Sequence, residues 1–168
     1  AVLQVVQRHP ILLAKISPDG QWQSLGTPTD VDVPLIDFSG QADEDRARGL
    51  AGVLDREVSE PFDLVTGTLL RVKIIRLSTT HHVVAWTIHH MVCDGWSSGL
   101  LVSELAKIYS AAKQGAAPVL ESPVPFRDYA VTVQPEGQAV QDAIVYWKKQ
   151  LAQAPSPLDL PTDRPRPL

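Results

Sequence analysis

Apolar residues open the chain at helical spacing: Val2, Leu3, Val5 and Val6 read as the second half of an amphipathic helix rather than its start. Arg8-His9-Pro10 ends that helix, because the proline removes a backbone donor and biases His9 away from helical angles. Residues 11–16 then read as a short strand, Pro18-Asp19-Gly20 as a turn, and residues 21–25 as the returning arm of a hairpin. A loop rich in Pro and Asp follows. Residues 43–57 carry Ala47, Leu50, Val53 and Leu54 on one helical face, although Gly49 and Gly52 each weaken a helix by about 1 kcal/mol relative to Ala.

Pro61-Phe62-Asp63 breaks that helix, and Gly67 precedes residues 69–77, where Leu70, Val72 and Ile74 alternate with Arg71 and Lys73 in the period of a strand. Thr79-Thr80 makes a turn. Residues 83–88 form a second strand, apolar on both faces, which is the mark of a central position in a covered sheet. From Trp96 onward Leu101, Leu105, Ile108 and Ala112 recur at helical spacing until Gly115 stops the pattern. A last helix over 138–152 carries Val140, Ile144, Trp147 and Leu151 on one stripe, with Lys148 and Lys149 near its end where they suit the helix dipole. Residues 155–168 hold five of the fourteen prolines, too many for helix or central strand. The order of elements predicts an α/β domain, a mixed β-sheet covered by helices.

With 168 residues, 44% of them hydrophobic, the chain can bury one domain-sized core. Its formal net charge of −4, without a long run of like charge, argues against a nucleic-acid partner. No window approaches the roughly 20 apolar residues of a membrane span. The single Cys93 forms no internal disulfide and no secretory leader is visible, so a reducing, cytoplasmic setting is expected. The chain starts at Ala1 without an initiator Met, inside a helical pattern, and finishes in a proline-rich tract. Both ends read as cut or linked onward.

The chemistry concentrates in His89-His90-Met91-Val92-Cys93-Asp94-Gly95-Trp96-Ser97, at the junction of the 83–88 strand and the helix after it. Such junctions are where α/β proteins place their sites. Successive strand residues point to opposite faces, so His89 and His90 do not enter one cavity: one is reactive and the other structural. Asp94 can hold the turn and precede the helix N-terminus, while Gly95 permits a special backbone angle or a close approach. An imidazole titrating near neutrality suits a general base. The residue types alone also fit a satisfied hydrogen-bond cluster in a loop. A metal site fits poorly, because adjacent histidines on opposite faces chelate badly. Cys93 has no evident activating base apart from the histidines and reads as a small packed residue. His81-His82 read as turn residues at a solvent-exposed strand start, and Trp22, Trp86 and Trp147 as packing residues. Trp96 either packs the helix start or lines a substrate path.

His89-His90-x-x-x-Asp94-Gly95, followed by Trp96-Ser97, resembles the HHxxxDG signature of condensation domains of nonribosomal peptide synthetases, members of the chloramphenicol-acetyltransferase-like superfamily. The resemblance continues at Arg8-His9, which matches the start of the upstream RHExLRT motif, and at Phe62-Asp63-Leu64 with Gly67-Thr68-Leu69-Leu70-Arg71. It extends through Phe126-Arg127-Asp128-Tyr129-Ala130-Val131 and Tyr146-Trp147 to Leu160-Pro161-Thr162-Asp163-Arg164-Pro165-Arg166-Pro167, which is similar to the exit from the family's first half. The matches stand in family order over nearly the whole chain.

The resemblance implies a chloramphenicol-acetyltransferase-like half. Residues 1–154 would be the N-terminal subdomain of a condensation domain, truncated at its start, and residues 155–168 a linker toward an absent C-terminal subdomain. It implies amide formation between a donor acyl and an acceptor aminoacyl group. No cofactor binds directly; both substrates arrive as thioesters on the 4'-phosphopantetheine of donor and acceptor peptidyl carrier proteins, with an adenylation domain adjacent. His90 would position the acceptor amine and help remove its proton, His89 would support the fold, Asp94 would be structural, and the Gly95 backbone would approach the reacting carbonyl. With one wall of the tunnel missing, the isolated chain would be inactive.

One departure stands out. The second Arg of the upstream motif, the usual ion-pair partner of the motif Asp, is replaced by Leu13, so Asp94 needs another cation, such as Arg71 or Arg127, or water. That substitution keeps a second reading open, a catalytically degenerate domain that only docks carrier proteins or another enzyme. An ester-forming or epimerising relative is a third.

Overall fold

The computed structural model describes residues 1–132, 137–154 and 161–164. They fall into two units, Ala1–Phe126 and Arg127–Leu168, each described by itself.

In the first unit, α1 (Val2–Arg8) ends at His9 and runs directly into a 3₁₀ turn at Pro10–Leu13. The expected strand over 11–16 is thus reduced to β1 (Ala14–Ile16). Pro10 presets the turn's first dihedral, and Leu12 and Leu13, adjacent in sequence, are both buried. Strand alternation would expose one of them. β1 pairs antiparallel with β2 (Gln23–Leu25) across a turn in which Gly20 takes a left-handed φ of 71°.

The second sheet decides where the site lies. β3 (Leu35–Asp37) runs parallel to β4 (Leu70–Arg76), α2 (Asp43–Ser59) forms the crossover, and β5 (His82–Ile88) pairs antiparallel on the other side of β4. β4 is therefore central and β5 an edge among the described residues, the reverse of the expectation that 83–88 is the central strand. The apolar pattern of β5 has another cause: helices cover both faces of the sheet. Leu70 and Val72 of β4 face a core built with Val5 and Val6 of α1 and with Leu101 and Ile108 of α3 (Gly95–Lys113), and Trp86 and Ile88 pack against it. On the opposite face Ile75 and Ala85 meet Val53 of α2. Coverage of a face and lateral position in a sheet are independent, and the sequence pattern reports only the first.

The helical faces shift from expectation in the same way. Ala47 and Leu54 of α2 are exposed; Leu50 and Val53 face the sheet together with a buried Glu57. Ala112 of α3 is exposed, and Glu104 joins Leu101 and Ile108 on the buried stripe. α3 ends at Lys113 with Gln114 as its C-cap, and the φ of 66° at Gly115, the Gly115 N–H bond to the Ala112 carbonyl and the Ala116 N–H bond to the Ala111 carbonyl make a Schellman stop. Trp22, expected to pack, is 77% exposed.

Gly49, which weakens α2 as an isolated helix, has a packing reason. A Cβ there would lie 3.0 Å from the Phe38 ring, whereas one at Gly52 would meet only Arg56 Nη1 at 3.9 Å. Gly49→Val is expected to destabilise the protein by about 1–3 kcal/mol through overpacking, and Gly52→Ala to stabilise it by up to about 1 kcal/mol. Denaturant midpoints of the two variants check this; equal shifts would refute it.

In the second unit α5 (Gln138–Gln150) follows a helix that begins the boundary segment, α4 (Phe126–Thr132). Trp147 makes an edge-to-face contact with Tyr146 at 5.2 Å and is 58% exposed, not a buried packing residue. Most of the proline-rich tract lies outside the described residues.

Candidate active site

β5 ends at Ile88, and the alternation of its side chains carries on into the two histidines. His89 turns toward the face covered by α2. Its ring stands edge-on to Phe62, 5.6 Å between centroids and 89° between planes, and its Nδ1 accepts the Met91 N–H at 3.2 Å. Behind Phe62 lies the Arg71 guanidinium, 4.1 Å from the ring centroid. Arg71 in turn donates to the Glu57 and Glu60 carbonyls at 2.9 and 2.8 Å and pairs with the Glu57 carboxylate at 3.4 Å. Burial pushes the Glu57 carboxyl up, but Lys73 at 2.5 Å and Arg71 together outweigh it and hold the group below its ordinary range. His89 is thus the outer end of a packed series running back to α2. The loop carrying Phe62 is fixed by Asp63, whose carboxylate accepts the Val65 and Thr66 N–H groups at 2.8 and 3.1 Å. Gly67 is obligatory there, since a Cβ would lie 2.8 Å from the Asp63 carbonyl oxygen.

His90 turns the other way. It is exposed and lines a cavity of about 280 Å³ whose walls include His9, Cys93, Asp94, Ser97 and Phe126. Asp94 is the N-cap of α3: its Oδ1 accepts the Ser97 N–H at 2.8 Å and the Ser97 hydroxyl at 2.7 Å. Those two bonds hold its carboxyl below the usual range, and the nearby His90 charge adds to the effect. Of the partners expected for Asp94, which were Arg71, Arg127 or water, Arg71 is excluded here. Arg71 is committed to α2, and Asp94 is exposed and capped by Ser97, so no buried charge is left to repair. Leu13 meanwhile is 1% exposed in the core cluster, a hydrophobic filling where the family motif has a cation.

Gly95 has an ordinary φ, and a Cβ on it would meet nothing within 4 Å. The backbone-angle reason for a glycine is therefore excluded, and room for a close approach remains. Cys93 is buried, with polar contacts to the Ser98 hydroxyl at 3.3 Å and the Asp94 carbonyl at 3.5 Å, neither of which activates a thiol. Trp96 is 88% exposed and does not pack the helix start. Among the described residues no group of three His, Cys, Asp or Glu is placed to hold a metal ion, and no helix is long and apolar enough to cross a membrane.

The pair that sequence patterning missed is His9 with Glu104. Glu104 is buried in α3 and takes a two-point ion pair from Arg8, at 2.9 and 3.1 Å, as well as the His9 Nε2 at 2.8 Å. The Arg8 hydrogen bond is the main reason its carboxyl lies below the usual range. The signal in the sequence is a lone Glu between Leu101 and Ile108 on an otherwise apolar stripe.

The family model described as a condensation domain matches residues 1–168. The chain is 34% identical to chondramide synthase of Chondromyces crocatus over 99% of its length, and 39% identical to cyclosporin synthetase of Tolypocladium inflatum over 99%. It spans 4% and 1% of those two proteins. Among solved structures, the starter condensation domain of the rhizomide synthetase aligns over 93% of this chain and 38% of its own, with TM-score 0.77 and 25% identity. The X-domain from teicoplanin biosynthesis, solved in complex with OxyB, aligns over 99% of this chain and 37% of its own, with TM-score 0.79 and 28% identity.

Proposed function

This chain belongs to the condensation-domain family, and from that premise we propose that it supplies the histidine-bearing part of a catalyst of amide formation in nonribosomal peptide synthesis. The substrates are a donor acyl group and an acceptor aminoacyl group, each held as a thioester on the phosphopantetheine of a carrier protein. The acceptor nitrogen attacks the donor carbonyl, the C–N bond forms, the C–S bond breaks, and the amine proton passes by way of His90 to the departing thiolate. The observation that carries this reading is the divergence of the two histidines: His89 packs on Phe62 while His90 faces the cavity. Asp94 acts through the fold by capping α3, and the open space at Gly95 lets a reacting carbonyl come close to backbone. Holding two tethered reactants together supplies much of the rate, an effect worth about 7–11 kcal/mol in favourable cases.

This chain spans 38% and 37% of those two solved structures, which supports placing residues 1–154 in the first of two subdomains and 155–168 in the segment toward the second. A neighbouring adenylation domain and a cytoplasmic setting belong to the same reading. The test is an amide-forming assay with two loaded carrier proteins. The parent synthetase is expected to form product and this chain alone to form none; turnover by the chain alone would refute the half-site placement.

A docking role without turnover is the second reading. It is favoured by Leu13 in place of the motif cation and by the likeness to the X-domain, whose solved complex is with OxyB. Carrier binding by the parent protein without amide formation would select it.

A further inference from the structure

Among the described residues His9 is the only side chain with an imidazole besides His90 on the wall of the 280 Å³ cavity, and it also borders a second cavity of about 700 Å³ beside residues 119–124, where Glu104 and Lys107 lie. Its side chain is 15% exposed. Glu104, held in its ionised form chiefly by Arg8, is acceptor-only, so the His9 Nε2 at 2.8 Å carries the hydrogen. Among the described residues no group hydrogen-bonds the other ring nitrogen, Nδ1. A buried carboxylate that fixes both the orientation and the tautomer of an imidazole is the device by which proteins present one ring nitrogen as an acceptor. Here the ring so fixed stands in the same cavity as His90.

We propose that His9 is a second substrate-contacting residue of this site, its Nδ1 accepting a hydrogen bond from the acceptor amine and so orienting the nitrogen that His90 deprotonates. The proposal rests on the amide-forming reading above. Arg8 and Glu104 are positioning residues that act through His9: the guanidinium fixes the carboxylate and the carboxylate fixes the ring. No charge moves through them, and the proton balance of the reaction stays as written for His90.

The test uses two substitutions that separate the ring nitrogens. His9→Gln keeps a donor near Nε2 for Glu104 and loses the Nδ1 acceptor; His9→Asn keeps an acceptor near Nδ1 and loses the contact to Glu104. In the parent synthetase with saturating loaded carriers, His9→Gln is expected to lower kcat by about 10–100-fold with a melting temperature near wild type. His9→Asn is expected to melt lower yet turn over faster than His9→Gln. A merely structural His9 reverses that order, and His9→Gln at the wild-type rate overturns the proposal. Should His9→Gln not fold, His9→Asn decides alone: near-wild-type kcat supports the proposal and a fall matching its loss of stability overturns it. His90→Ala in the same assay separates the two levels, since a dead His90→Ala beside an unaffected His9→Gln removes this inference only, whereas an active His90→Ala removes the reading beneath it.

Discussion

Replacing His90 by Ala in the parent synthetase is expected to lower amide formation by about 10²–10⁴-fold, the usual worth of a positioned general base, while leaving the melting temperature unchanged. The reasoning is geometric. His90 is exposed, lies past the end of β5, and among the described residues its side chain has no hydrogen-bond partner on which the fold depends. His89→Ala is expected to do the opposite. It removes the edge contact with Phe62 and the acceptor for the Met91 N–H, a loss of about 1–2 kcal/mol, and it lowers activity only through the displaced turn. Stabilising solutes should therefore rescue His89→Ala and leave His90→Ala dead. Wild-type turnover by a folded His90→Ala variant, or an unrescued His89→Ala, would sink the division of labour between the two.

The opposite facing of His89 and His90, though not their roles, was legible in the sequence, because strand alternation is a rule of covalent geometry: two adjacent residues at a strand end face opposite ways. The cap at Asp94 was legible for a similar reason, an Asp just before a helical pattern. What stayed hidden was long-range. β3 is three residues of which Leu35 and Asp37 are exposed, and only its parallel register with Ile74 to Arg76 on β4 makes it a strand. The status of β5 as an edge depends on which strands lie beside it, which no local pattern encodes. The pairing of the buried carboxylates Glu57 and Glu104 stayed hidden too, because their partners are distant: Arg71 is 14 residues from Glu57, and Arg8 is 96 from Glu104. Arg71, one of the partners left open for Asp94, is instructive. As a free cation near the motif it was a natural partner for Asp94, but the sheet turns it to the α2 face, where the Glu57 and Glu60 carbonyls hold its guanidinium.

The Glu104 site carries a large stability effect for a single polar substitution. Glu104→Ala leaves Arg8 without its two-point partner and His9 without its acceptor, in a pocket where Glu104 itself is 8% exposed. Breaking a fully buried pair costs about 3–5 kcal/mol; with the Arg8 side chain 22% exposed and therefore partly rehydrated, about 2–3 kcal/mol is the expected loss. The dependence on pH has a definite sign. The folded-state carboxyl lies below its ordinary value of 4.5, first because of the Arg8 hydrogen bond. Its contribution is therefore complete above about pH 4.5 and is lost as pH falls through the depressed folded value. The stability difference between wild type and Glu104→Ala should be flat from pH 7 to about pH 5 and shrink steadily below that. Denaturant unfolding at a series of pH values measures it, and a difference that persists undiminished in acid would show that Glu104 acts by packing rather than by charge. The same substitution frees the His9 ring, so its effect on turnover should exceed what its stability loss explains, joining the stability of the fold to the orientation of the cavity wall.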